Sequence, residues 1–397
     1  MYQDRRTFLR TVGLLLMGIS LPRLSSGFEL RVPTPQFSDK NELVVVKAVH
    51  RGASDDEIIA SVRNVAEGAT DFSWLSRGDT VLIKPAANSP RPYPATTSPL
   101  SIRGLVSLLE EKGAGKVIVA DKSGVQYVYH DGKGQRGSSR NVMTENGLHQ
   151  AALESGAELH YFDEKSYDDY FGDRPEHNNH WSGELILPNI LNQVDHVVLL
   201  PRVSRHVLAG TTLGLKAAVG WLRDDSRLEL HRDAKSFFQK IAEINDAKVL
   251  MQKLRLVLTV ATKVQTTFGP DHGFATEPDP GLVFGSASLL AHDMVSLGWL
   301  LWNRQHATPQ NQIAWYRDPF MTYPGIINRL FVGRAWGIRQ LFKSETYSSV
   351  PITSVRTDPV ISQAAAIWGG VPELKLESVG AKLDENIAAY LIGKAAA

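Results

Sequence analysis

Cysteine is absent from the 397 residues, which excludes disulfides, thiolate zinc sites, iron-sulfur clusters and cysteine nucleophiles and leaves His, Asp and Glu as metal ligands. A charge excess is missing too: 43 Lys and Arg face 42 Asp and Glu. No global field draws the chain to nucleic acid or to an anionic membrane, so charge-based recognition has to be local. Internal repeats and low-complexity segments are lacking. So are a Gly-x-Ser-x-Gly elbow, a Walker loop and a His-Glu-x-x-His motif, which demotes serine hydrolase, P-loop kinase and zinc protease chemistry. What is present is a 43% hydrophobic content, ordinary for a globular protein with a real core. The length allows about two or three domains.

Residues 4–10, Asp-Arg-Arg-Thr-Phe-Leu-Arg, precede an apolar run at 12–21. The pattern resembles a twin-arginine export signal, and the run is too short to span a bilayer. The bland alternative is a basic terminus with an apolar patch. The resemblance implies that the twin-arginine machinery carries the folded chain to the periplasm. Leu24-Ser25-Ser26-Gly27 is a poor cleavage site, so retention of the signal as a membrane tether stays open. The expected organisation is a signal segment at 1–30, an α/β core at 40–303 and a C-terminal extension at 304–397.

Within the core, apolar strands alternate with amphipathic helices. Strands are expected at 43–49, 80–84, 116–121, 159–162, 195–200 and 255–260, and helices at 54–67, 98–112, 144–155 and 289–302, the first opened by a Ser54/Glu57 capping box. Near-continuous apolar strands of this kind predict an α/β fold, a mostly parallel sheet with helices on both faces. Ligands of such sheets bind beyond the strands' carboxyl ends. There the chain has long segments at 85–97, 122–141 and 201–210. Residues 304–351 are aromatic and basic with helical spacing, which suits a lid, an interface, a membrane-facing surface or plain helical packing. Residues 358–380 read as a helix and a strand that rejoin the core.

The segment from His206 to His231 holds Lys216 among small and apolar neighbours. Lys216 is expected one turn into a helix opened by Thr211 or Thr212, where burial lowers its pKa and equips it as nucleophile or anion holder. Lys84, at a strand end before Pro85, is a candidate for a carboxylate or phosphate, or for a simple salt bridge. Gly132-Lys133-Gly134-Gln135-Arg136-Gly137 satisfies Gly-x-Gly-x-x-Gly without a strand directly before it. A flexible basic loop is the favoured reading, with Gly132 and Gly134 still candidates to offer backbone N–H groups to a phosphate. His177 and His180 offer two imidazoles in a polar loop, read as solvated surface rather than a metal site. Asp293 reads as a first-turn acid or a site residue.

Several ordered motifs resemble the domain-of-unknown-function family 362. They are Ile83-Lys84-Pro85-Ala86, Thr97-Ser98-Pro99, the strand at 195–201 followed by Arg205-His206, Leu215-Lys216-Ala217-Ala218-Val219-Gly220, and His231. Ala86 and Ala217 stand where the family usually has asparagine, and Gly298 replaces a common aspartate. The cysteine-free chain also lacks the ferredoxin-like domain of many members. The His-Lys-His layout looks like that of the nickel-pincer lactate racemases. That resemblance implies His206 as base, Lys216 as anchor of a nucleotide-derived cofactor and His231 as metal ligand. The combined expectation is an exported enzyme doing proton-transfer chemistry, isomerase- or racemase-like, on a small anionic ligand. The alternative is a non-catalytic periplasmic binding protein on the same scaffold.

Overall fold

Residues 43–49 form a strand as expected, but it extends six residues further back, to Phe37, because it has a partner there. The computed structural model describes residues 36–177, 179–267, 269–308, 324–347 and 352–396. The export-signal reading at 4–21 and the cleavage site at 24–27 lie outside the described residues, as do parts of the aromatic segment at 304–351.

Eight strands form the main sheet: β1 (Phe37–Val49), β2 (Thr80–Pro85), β3 (Lys116–Asp121), β4 (Glu158–Tyr161), β5 (His196–Leu200), β6 (Leu254–Ala261), β7 (Gly281–Ser286) and β8 (Val371–Ser378). Their order is β8-β1-β7-β6-β5-β2-β3-β4. Only β7 runs antiparallel to its neighbours, β1 and β6, and the other pairings are parallel. The fold is therefore α/β with a mostly parallel sheet. The returning C-terminal segment does rejoin the core, as β8 alongside β1.

Alternation along the strands sends side chains into two cores. Val45, Val81, Ile83, Val119 and Val198 pack with residues of α1 (Asp55–Ala69), α2 (Pro99–Glu111) and α4 (Leu148–Glu154). Val44, Leu82, Ala120, Val197 and Phe284 face the opposite layer. That layer is α5 (Asp224–Arg232), α6 (Phe237–Asn245), α7 (Leu289–Gln305), α9 (Pro359–Ile367) and α10 (Glu385–Ala396), with α8 (Pro324–Trp336) outside α5. The Ser54/Glu57 capping box forms in full.

Two expectations change. The single helix at 144–155 is two, α3 (Ser139–Glu145) and α4, because Gly147 takes φ +87 and Asn146 is held by Ser89 O through its own Nδ2 at 2.8 Å. Strand β7 was not anticipated. Its Leu282-Val283-Phe284 run is framed by Gly281 and Gly285, residues depleted in strands, and follows directly on a Gly/Pro/Asp loop.

Candidate functional site at the carboxyl edge of the sheet

The parallel strands β2, β3, β5 and β6 end on one edge, and several buried charged groups stand there. Lys84 is the last residue but one of β2, and Asp121 closes β3 beside it. Their side chains pair at 2.9 Å, and Lys84 Nζ also donates to Pro85 O at 3.1 Å. Asp121 in turn accepts from the Ala87 and Lys122 amides, both at 2.9 Å. Burial pushes the Lys84 amine down, and Asp121 opposes that. The charge of Lys84 is thus spent inside the protein, which matches the salt-bridge alternative for this residue. A Cβ on Gly220 would stand 2.4 Å from Lys84 Nζ and 2.6 Å from Asp121 Oδ1. Only glycine lets the Lys216 segment lie this close to the pair.

Lys216 sits in a helical turn, Gly214–Ala217, but neither threonine opens it. Thr211 and Thr212 belong to a short strand, Gly210–Thr212, that pairs antiparallel with Ser204–His206. The cap arrives from elsewhere in the chain: buried Asp293, near the start of α7, accepts from Gly214 N at 2.8 Å and Leu215 N at 2.7 Å. One side chain accepting from two orphan amides is a full N-cap. Asp293 therefore positions the lysine turn. Lys216 Nζ makes no hydrogen bond or ion pair among the described residues. The side chain keeps some accessible surface although protein encloses it. Burial brings its amine down to about 7, and the charges of Arg227, Arg202 and Lys84 act in the same direction.

Lys216 acts electrostatically on both histidines, and the charge of His231 bears on His206. Burial holds His206 well below the usual histidine value, and it brings His231 down to about 3. The rings differ in tautomer. His206 Nδ1 accepts from the Leu208 and Ala209 amides, both at 3.1 Å, so the neutral ring carries its proton on Nε2 and is a donor there. His231 Nδ1 lies 2.8 Å from Arg227 O, an acceptor only, so the proton is on Nδ1 and Nε2 keeps its lone pair. His206 is expected as a base, whereas its ring here offers a donor at Nε2. The open imidazole lone pair of the two rings is on His231 Nε2.

His231 is walled by rings: Phe237 at 6.0 Å, Phe331 at 5.4 Å and Trp336 at 5.7 Å between centroids. The last two come from α8, so the aromatic C-terminal segment packs over the helix that carries the histidine. Asn328 Nδ2 and the Tyr347 hydroxyl both donate to His231 O, at 2.7 and 3.1 Å.

Further charged groups complete the site that the sequence reading passed over. Arg227 donates to Leu222, Ser123, Lys122 and Gly220 carbonyls at 2.7 to 3.1 Å, with no carboxylate among these partners. Arg202 donates to Pro94 O, Gln265 Oε1 and Pro270 O, and burial lowers it to about 10. Lys122, next to Asp121, is paired with buried Asp224, and burial lowers its amine to about 8. Lys122, directly after β3, repeats the buried ion pair that Lys84 makes near the end of β2, and Arg227 stands one helical turn before His231. Those spacings were the available signal.

Other candidates lie apart from the lysine. Gly132 and Gly134 belong to a hairpin whose strands are Tyr129–His130 and Gln135–Arg136, not to a strand-loop-helix. The Lys133 and Gly134 amides are taken by Asp131 Oδ1 at 3.0 and 3.1 Å. The hairpin reaches the charge network through His130 N, which donates to Asp224 at 2.7 Å. It also borders a hollow of about 450 Å³ whose lining includes Asp163, Glu164 and Asp168, poor company for a phosphate. His177 and His180 are half-exposed, and each pairs through Nδ1 with a buried carboxylate, Asp246 and Glu243 respectively. Asn178 between them is outside the described residues. Among the described residues no group of three or more His, Asp or Glu stands ready to hold a metal. His231 Nε2 could ligate a metal only if an organic ligand brought the remaining donors.

Comparison with known proteins places the chain. Two solved structures are distantly similar to the chain. A Thermotoga maritima protein is 12% identical with a TM-score of 0.34, and the alignment covers 52% of this chain and 50% of that one, so the chain spans about half its length. The lactate racemase apoprotein from Thermoanaerobacterium thermosaccharolyticum is 11% identical with a TM-score of 0.38, covering 89% of this chain and 86% of that one. No curated protein matches the sequence. The model of the family described as Domain of unknown function (DUF362) matches residues 81–298. That span runs from β2 into α7 and holds Lys84, His206, Lys216, His231 and Asp293, and on it the chain belongs to the DUF362 family.

Proposed function

We propose that this member binds a small anionic molecule, or a nucleotide-like cofactor through its anionic group, at Lys216. The observation that carries the reading is the unpartnered amine. Lys84 has Asp121 and Lys122 has Asp224. Lys216 faces Arg227, Arg202 and Lys84 with no carboxylate among the groups that act on it. A buried ammonium without its own counter-charge is costly and is relieved by an anion from outside.

The surrounding groups assign roles. The Lys216 ammonium would hold the negative group. His206 would donate from Nε2 to an oxygen of the ligand. His231 Nε2 would accept a proton or coordinate a metal that the ligand itself carries. An anion seated between them raises both imidazoles toward neutrality, so the proton acceptor becomes effective only when the ligand is bound. Proton transfer next to a carbonyl or carboxylate is the reaction class this suits. The second reading, ligand binding without chemistry, is favoured by Ala86 and Ala217 at positions where polar groups are expected. The export reading belongs to this proposal as well: it puts the site in the periplasm.

Isothermal titration with inorganic phosphate, lactate and adenosine monophosphate at pH 7 tests the reading. At least one binds the wild-type protein, and Lys216→Met removes the binding while the circular dichroism spectrum is retained. Equal binding by the variant overturns the assignment. Proton exchange at a carbon of the bound ligand then separates the enzyme from the binding protein.

A further inference from the structure

Helix α8 and the short helix after it, Ile338–Lys343, fold back on one another as a hairpin. Gly337 takes φ +97 at the reversal, and the chain packs so closely that a Cβ on Gly333 would lie 2.8 Å from a Leu341 methyl. The reversal leaves an unusual tip. Ile338 is 62% exposed and Phe342 73%, one turn apart on the same face, where apolar side chains of this size are normally covered. Arg334, Arg339 and Lys343 are exposed beside them. Residues 324–343 contain four basic side chains and no acidic one, in a chain whose overall charge is balanced.

We propose that this hairpin tip docks on the surface of an anionic lipid bilayer. The charge pattern selects the occupant: a bilayer offers an apolar layer just beneath a continuous sheet of negative headgroups, which accepts Ile338 and Phe342 and the flanking cations together. No described helix is long and apolar enough to cross a membrane, so the contact is interfacial. Phe331 and Trp336 of the same hairpin wall His231 on the inside, so the lipid surface meets the outer wall of the candidate site. The docking does not depend on what the site binds.

Co-sedimentation of the full chain with phosphatidylcholine vesicles, with and without phosphatidylglycerol, tests this. Binding is expected only to the anionic vesicles and weakens as salt is raised. Phe342→Ser lowers the partition coefficient roughly tenfold, and Arg339→Gln with Lys343→Gln lowers it roughly tenfold or more together. All three positions are exposed, so the variants fold, which circular dichroism checks. Absence of binding to anionic vesicles overturns the proposal, and an acidic protein partner would then be the occupant to seek. Binding that neither variant changes also overturns it, because the contact then lies elsewhere, as in the apolar run at 12–21.

Discussion

Replacing Lys216 by methionine should make the protein more stable, in proportion to how much the free site strains the fold. The amine falls from 10.5 to about 7 on folding, and at about 1.36 kcal/mol per pKa unit this is roughly 4 to 5 kcal/mol. The accessible surface left on the side chain screens part of it, so a gain of about 2 to 4 kcal/mol at pH 7 is expected for a shape-conserving methionine. The pH dependence identifies the cause. Between the folded value near 7 and the unfolded value near 10.5 the unfolded chain binds the extra proton, so wild-type stability rises with pH across that window. The advantage of Lys216→Met is therefore full below pH 7, shrinks as pH rises and closes near 10.5. Urea unfolding of both proteins at half-unit intervals from pH 6 to 10 measures it. A variant less stable than wild type at pH 7, or an advantage that does not change with pH, would refute the reasoning.

Other consequences are independent of that one. Asp293→Ala leaves the Gly214 and Leu215 amides buried without an acceptor and should cost about 2 to 4 kcal/mol in urea unfolding, with anion binding lost even though the residue touches no ligand. Below pH 6.5 the unfolded chain protonates both site histidines while the folded one resists, so stability falls with acidity by about 1.4 kcal/mol per pH unit for each ring. His231→Phe, which keeps an aromatic ring among Phe237, Phe331 and Trp336, should flatten that fall by one ring's share, and an unchanged slope between pH 6.5 and 5 would count against a neutral buried His231. Gly220→Ala must push apart Lys84 and Asp121 and should lower the thermal midpoint markedly, whereas Gly134→Ala meets nothing within 4 Å and should leave both midpoint and anion binding as they are.

The periodic signals in the sequence reached the sheet because burial on both faces writes itself as continuous apolar runs, such as Val81-Leu82-Ile83 and Val197-Val198-Leu199. They could not reach β7, whose apolar run is framed by Gly281 and Gly285, or the backward extension of β1, which exists only because β8 returns from residue 371. At the site, Lys216 and the two histidines were legible because a polar residue among small apolar ones is conspicuous. Their roles were not. Whether a histidine is donor or acceptor is set by its Nδ1 partners, the Leu208 and Ala209 amides for His206 and Arg227 O for His231, and such local backbone bonds leave no trace in composition. Asp293, some eighty residues after the turn it caps, was visible only as an acid near the start of a helix, and its partner was beyond sequence reasoning.

The central claim is that Lys216 holds an uncompensated charge awaiting an anion. Reductive methylation with carbon-13 formaldehyde, with the Lys216 resonance assigned by its loss in Lys216→Met, reports that charge directly by NMR. A titration near pH 7 is expected, moving upward by a unit or more when a binding anion is added. A resonance that titrates near 10.5 and ignores added anions would contradict it.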